Sequence, residues 1–193
     1  VAARTVWRCF PWDPEAPEGA PFSASHLVPG QTSGRFDLQD RPPVRYLAET
    51  PEHALAEALG PFRGTRFHIS YLRQQGHALA MVEVQLASSL VARVADCTDP
   101  AVLAELELRP DALAHHDRTL TQAIARRLHD RDTTSDHLAG LRWWSALTGA
   151  WHTTVIFTDR ERRGEMAFGM PRHVHPANPV VARTLAILGI RTL

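Results

Sequence analysis

Lysine is missing from this chain: all 21 positive residues, set against 21 aspartates and glutamates, are arginines. Codon bias in a GC-rich genome accounts for the preference, but the chemical consequence holds whatever its cause. A lysine nucleophile and a P-loop lysine are excluded. Any bound phosphate must be held by arginine forks, histidines or backbone amides. The balanced charge also removes the usual electrostatic case for nucleic acid, so no direct nucleic-acid binding is expected. Cysteine is nearly absent too. Cys9 and Cys97 form no metal or redox motif and suit a reducing cytosol, which makes a cytoplasmic location the expectation.

Other absences narrow the chemistry. No apolar run reaches the roughly eighteen residues that a membrane helix needs. The first residues, VAARTVWRCF, lack the apolar core of a signal peptide; they begin with Val and not Met, so processing or trimming stays open. There is no G-x-S-x-G elbow for a serine hydrolase and no G-x-G-x-x-G for a Rossmann dinucleotide site. Histidine is plentiful, at eleven residues, but HHD at 115–117 and HVH at 173–175 do not fit a metal-ligand spacing. They read as surface or capping histidines, and no metal site is expected.

What is present organises as one α+β domain over residues 1–193. RTVWRCF (4–10) reads as a strand. Residues 11–43 form a long Pro-, Gly- and Ser-rich loop containing GQTSGRFD, and long loops inside a domain are often functional. Residues 44–47 resume a strand. Thr50-Pro51 then caps and opens a helix that Gly60-Pro61 closes. TRFHISYL, ALAMVEVQL and SLVARVAD read as strands from their alternation. PAVLAELEL and RTLTQAIARRLHD turn helical, and TSDHLAGLRWWSALTG reads as a capped helix ending around Trp143-Trp144-Ser145. HTTVIFTD (152–159) is a strand, and NPVVARTLAILGI is helical up to Gly189.

Two places carry candidate chemistry. In the helix after Thr50, Leu55 and Leu59 share one face, and Glu57 lies about 200° from each. Alone, that is a solvated glutamate, although the alanines beside it leave the face low enough for close approach. Of the adjacent tryptophans Trp143 and Trp144, one points inward and the other lies near a cleft or surface. The hydroxyl of Ser145 beside them either ends a helix or positions a ribose or phosphate.

The combination goes further. Gly34-Arg35-Phe36, then Tyr46 eleven residues after the arginine, then Glu57 eleven residues after the tyrosine, resemble the RES-domain family, named for an Arg, a Glu and a Ser. Trp7-Arg8 in the first strand and GLRWWSA ending in the Ser145 segment, followed by TTVIF, extend the resemblance over about residues 4–160. The chain departs from the family where Trp143-Trp144 replaces Tyr-Pro, and in its long proline-rich loop between Arg8 and Arg35; both bear on pocket shape more than on chemistry.

The resemblance implies a fold similar to ADP-ribosyltransferases, a central mixed or antiparallel split sheet flanked by helices. It implies the toxin of a toxin–antitoxin pair, neutralised by a helical Xre-type antitoxin. It implies NAD+ as substrate, with the nicotinamide–ribose bond broken by water, by phosphate as co-substrate, or by transfer to a protein. The site residues implied are Glu57, Arg35, Tyr46 and Ser145 for catalysis, and Arg8, Arg35, Tyr46 and Ser145 for binding NAD+, and the first four are expected to converge on one pocket. The residue chemistry agrees: a fixed carboxylate stabilises an oxocarbenium-like transition state, and arginine forks suit a pyrophosphate. Free NAD+ breakdown is favoured over protein modification. A non-catalytic module that binds a nucleotide or partner is the rival from another class.

Overall fold

A computed structural model describes residues 1–115, 117–131 and 137–192. In chain order the strands and helices are β1 (Arg4–Pro11), β2 (Val44–Ala48), α1 (Pro51–Leu59), β3 (Arg73–Gln74), β4 (His77–Leu86), α2 (Ser88–Val91) and β5 (Val94–Asp96). There follow α3 (Pro100–Glu105), α4 (Pro110–Ala114), α5 (Arg118–His129), β6 (Gly140–Trp144), β7 (His152–Phe157), β8 (Met166–Phe168), β9 (Arg172–His173) and α6 (Pro179–Leu188). The class is α+β with mixed strand pairing and flanking helices. Residues 11–43 carry no helix or strand beyond the end of β1 at Pro11, as their composition predicts.

These residues cluster into two compact units. The first comprises Val1–Arg4, Leu27–Tyr46 and Leu86–Met166. Its strands run in the order β2-β7-β6-β5. β6 and β7 are antiparallel, with Leu141 opposite Val155, whereas β5 and β6 are parallel, with Ala95 opposite Leu141. Parallel neighbours need a long crossover, and α3, α4 and α5 supply it. α5 turns Thr121, Ile124, Ala125 and Leu128 inward at helical spacing. The last three share one core with Phe36, Leu38, Val44, Leu141, Trp143, Val155 and Phe157.

The second unit comprises Thr5–His26, Leu47–Gln85 and Ala167–Leu193. Its strands run β3-β4-β1-β2, and β8 and β9 also pair with β4. α1 packs against α6, which buries Val181, Thr184, Leu185 and Leu188 at the same helical spacing. The hydroxyl of Thr50 accepts from the His53 N–H at 3.1 Å, and Pro51 follows it at the first helical position, so the cap predicted from sequence is present. Arg183 pairs with Glu52, and the Thr184 hydroxyl donates to the Glu52 carbonyl at 3.4 Å, which ties the first turn of α1 to α6.

Three segments depart from the sequence expectation. TRFHISYL is not a strand: Arg66 makes one isolated bridge, and Ile69–Leu72 forms a 3₁₀ turn. The His68 ring accepts from the Ser70 N–H at 3.3 Å, so a local side-chain bond replaces the ladder that the alternation suggested. SLVARVAD splits into the turn of α2 and the short β5. There Ser89 and Arg93 both reach back to the carboxylate of Glu165. GLRWW is a strand and not the end of a helix, and Ser145 follows that strand. Leu138, Leu141 and Trp144 fit a three-residue spacing, but the pleat buries Leu141 and Trp143 on one side. The capping residues read at 134–136 lie outside the described residues.

The first residue of β6, Gly140, has no room for a side chain. A Cβ at this position would lie 2.0 Å from the backbone oxygen of Val155, which belongs to the paired strand. Gly140→Ala therefore forces β6 and β7 apart and is expected to destabilise the protein by about 2–4 kcal/mol. Urea unfolding of the variant beside the wild type reads this directly, and an unchanged midpoint would contradict the close approach.

The buried pair Arg93–Glu165, at 2.5 Å, generates a pH prediction. Burial pulls the Glu165 carboxyl upward, but the Arg162 N–H, the Ser89 hydroxyl and the Arg93 charge outweigh it and leave its pKa below the ordinary glutamate value. The unfolded chain therefore takes up the proton first. The contribution is complete above the unfolded pKa of about 4.3 and is lost as pH falls through the folded value. Glu165→Gln should be less stable than wild type at pH 7, with the difference shrinking in the acid range; thermal melts between pH 3 and pH 7 measure it.

Candidate functional site

In the first unit the loop carrying Arg35 is closed by a carboxylate. Asp37 is 2% exposed. One of its oxygens accepts from the Gly34 N–H at 2.6 Å and the other from the Tyr46 hydroxyl at 2.8 Å. The Tyr46 oxygen in turn accepts from the Phe36 N–H at 2.9 Å. Gln122 of α5 donates to the carbonyls of Gly34 and Thr32 at 2.8 and 3.0 Å. Gly34 has to be glycine, because a Cβ would stand 2.4 Å from Asp37 Oδ1 and 2.5 Å from the Tyr46 oxygen. With Phe36 buried in the core, the turn has little freedom left.

Arg35 and Tyr46, two of the residues singled out in the sequence, are thus brought together. Arg35 is half-buried, and one guanidinium N–H donates to the Leu113 carbonyl at 3.4 Å. Among the described residues no carboxylate pairs with it, an arrangement that suits an anionic ligand. Burial, and then the Asp37 carboxylate, push the Tyr46 phenol above its ordinary pKa, so the group stays protonated and donates. Its hydroxyl is committed to the turn.

Ser145 belongs to the same unit and is 8% exposed. Its N–H donates to the Trp151 carbonyl at 2.8 Å, and its hydroxyl accepts from the Leu147 N–H at 3.1 Å. The strand before it divides the tryptophans as expected: Trp143 is 3% exposed, and Trp144 is half-buried against it with ring centroids 4.1 Å apart.

Glu57 and Arg8 belong to the second unit. His53, Ala54, Leu55, Ala56 and Leu59 of α1 are all buried, and Glu57 is the one residue of the helix in the exposed class. Its side chain is 51% exposed, and Oε1 lies 3.1 Å from His53 Nε2. A carboxylate is thus carried at the single open position of a helix that is otherwise packed. Arg8, on β1, donates to the Ala24 carbonyl, and its guanidinium lies over the Phe10 ring at 5.2 Å from the centroid.

Sequence reasoning overlooked Asp37 and His53. Both signals were present, since Asp37 stands two residues after Arg35 and His53 stands one helical turn before Glu57. Their roles depend on contacts that spacing alone does not give. The described histidines of the HHD and HVH runs are surface or local-bonding groups: His115 and His175 accept from the N–H groups of Asp117 and Ala177, and His173 is an exposed residue of β9 against Trp12. His116 lies outside the described residues. Among the described residues no group of three or more His, Cys, Asp or Glu is placed to hold a metal ion. Both cysteines are free thiols whose pKa burial pushes up to about 12.

Comparison with known proteins completes the description. No curated protein sequence matches the chain. Among solved structures it is similar to a chain of the M. tuberculosis MbcT–MbcA toxin–antitoxin complex, with 18% identity and a TM-score of 0.58. That match covers 93% of this chain and 90% of the other, a likeness of fold. A sequence model of the RES domain matches residues 5–175, which include Arg8, Arg35, Tyr46, Glu57 and Ser145. The chain belongs to the RES-domain family.

Proposed function

We propose that this protein is the toxin of a toxin–antitoxin pair and that it destroys NAD+ by breaking the nicotinamide–ribose bond. The observation that carries the reading is Glu57: in a RES-domain chain, the one exposed side chain of a buried helix is the carboxylate of the family motif. The fold likeness to a chain of a toxin–antitoxin complex supports the biological role. The family match runs through residues of both compact units, which supports reading 1–193 as one RES-like domain, similar to ADP-ribosyltransferases.

Loss of nicotinamide leaves positive charge on the ribose carbon. Glu57 supplies the opposing charge and accepts from ribose hydroxyls. Arg35 and Arg8 hold the pyrophosphate, work that falls to arginine in a chain without lysine. Tyr46 keeps the Arg35 turn in place through its hydroxyl and offers its ring to the nicotinamide. Ser145 bonds the pyrophosphate or the nearer ribose. Water or inorganic phosphate is the acceptor, in preference to a protein side chain. No metal enters the reaction.

A helical Xre-type antitoxin is the proposed partner, acting by covering the NAD+ site. The cytoplasm is the proposed location, where NAD+ is available and both thiols stay reduced. No described helix is long and apolar enough to cross a membrane.

Purified antitoxin-free protein is expected to consume NAD+ and release nicotinamide. Chromatography with and without phosphate then identifies the acceptor: ADP-ribose alone means hydrolysis, and a phosphorylated ADP-ribose means phosphorolysis. Labelled ADP-ribose on lysate proteins would instead indicate protein modification, and intact NAD+ after long incubation would sink the proposal.

Glu57→Gln should lower turnover by about 10²-fold or more with an unchanged melting temperature, because the side chain is half-exposed. Gly34→Ala should also lose activity, through displacement of the Arg35 turn. Asp37→Asn, which keeps the shape and weakens the clamp, should fall between Gly34→Ala and wild type.

A further inference from the structure

α1 contains an asymmetric pair. His53 is 0% exposed, while the Glu57 side chain, one turn later, is 51% exposed, and Nε2 stands 3.1 Å from Oε1. An ionised carboxylate only accepts, so the ring nitrogen is the donor. Residues four apart on a helix lie over one another, which gives the contact its geometry.

The donor end is firmly seated. The His53 N–H is bonded by the Thr50 cap at 3.1 Å, and α6 holds the same turn through Arg183 and Thr184 on Glu52. A packed helix position of this kind ordinarily takes an aliphatic side chain, as Leu55 and Leu59 do. Placing an imidazole there carries a desolvation cost of roughly 1–3 kcal/mol unless its polar atoms are bonded. An exposed glutamate, left to itself, samples several rotamers. A hydrogen bond from an immobile buried donor fixes one carboxylate oxygen and leaves the direction of the other determined.

We propose that His53 is a positioning residue: it orients the Glu57 carboxylate for the reaction and does not itself touch the substrate. This rests on the reading of Glu57 as the catalytic carboxylate. A reacting group displaced by about 1 Å can lose on the order of 10²-fold in rate. Removal of one such hydrogen bond should therefore appear in turnover and not in affinity.

The test uses His53→Leu, which fills the space without a donor, and His53→Gln, whose amide nitrogen reaches the same place as Nε2. With NAD+ as substrate, His53→Leu is expected to lower kcat about tenfold or more with KM within about twofold. His53→Gln should recover to within about threefold of wild type. Equal activity of both variants and wild type overturns the proposal. So does equal loss in both variants with a parallel fall in melting temperature, because that marks a purely structural histidine.

A second measurement separates this inference from the function on which it rests. The imidazole ¹H–¹⁵N signal of His53 is recorded in wild type and in Glu57→Gln. A shift of the Nε2 resonance supports the contact even if wild type leaves NAD+ intact, an outcome that would sink the proposed reaction instead. An Nε2 resonance that ignores the substitution overturns the positioning role in every case.

Discussion

The Asp37 carboxylate holds together the turn that carries Arg35. Its two oxygens accept from the Gly34 N–H and the Tyr46 hydroxyl at 2.6 and 2.8 Å. A loop running from residue 12 to residue 43 carries a large conformational entropy that something must oppose. The carboxylate does so at the loop's far end, by fastening the Arg35 turn to the strand that follows it. Buried and acceptor-only, Asp37 is satisfied only while those donors stay in place. The glycine, the phenol and the aspartate therefore depend on one another, and Arg35 is presented as a result.

α1 applies the opposite strategy to Glu57. Instead of a polar clamp on a loop, it uses a short helix capped at Thr50, packed on α6 and buried at five of its nine positions. Helices this short are marginal alone and take their rigidity from packing. A side chain leaving the one exposed position inherits that rigidity at its Cα but not at its carboxylate. The His53 contact extends it by one hydrogen bond.

How far the sequence could be read varied with the kind of signal. The Thr50-Pro51 cap, the α6 stripe ending at Gly189 and the strand at 152–157 rest on local chemistry, and each is found where it was expected. Short apolar runs failed where two periods fitted equally well. GLRWW satisfies both a helix and a strand, and the choice fell to pairing with β7. TRFHISYL alternates like a strand, but its pairing is a single isolated bridge at Arg66, and the bond from Ser70 to the His68 ring takes over after it. The candidate residues follow the same rule: the ordered gaps point to Arg35, Tyr46, Glu57 and Ser145, whereas only contacts point to Asp37 and His53.

The sequence by itself determined which chemistry is available: arginine for anions, two cysteines outside any metal or redox motif, a Thr-Pro start to α1, and an Arg–Tyr–Glu–Ser order that resembles the family's. These follow from residue identity and short-range geometry, which the chain carries without folding. Tertiary structure alone decided which of those groups are held and which are open. It buried Asp37, turned the Tyr46 hydroxyl onto the Arg35 turn, and set the buried His53 ring against the Glu57 carboxylate that the helical spacing had already placed off the leucine face. The bonded partners lie close in sequence, but the packing that buries them comes from distant segments, Gln122 of α5 on the Arg35 turn and α6 on α1, and no local pattern encodes that packing.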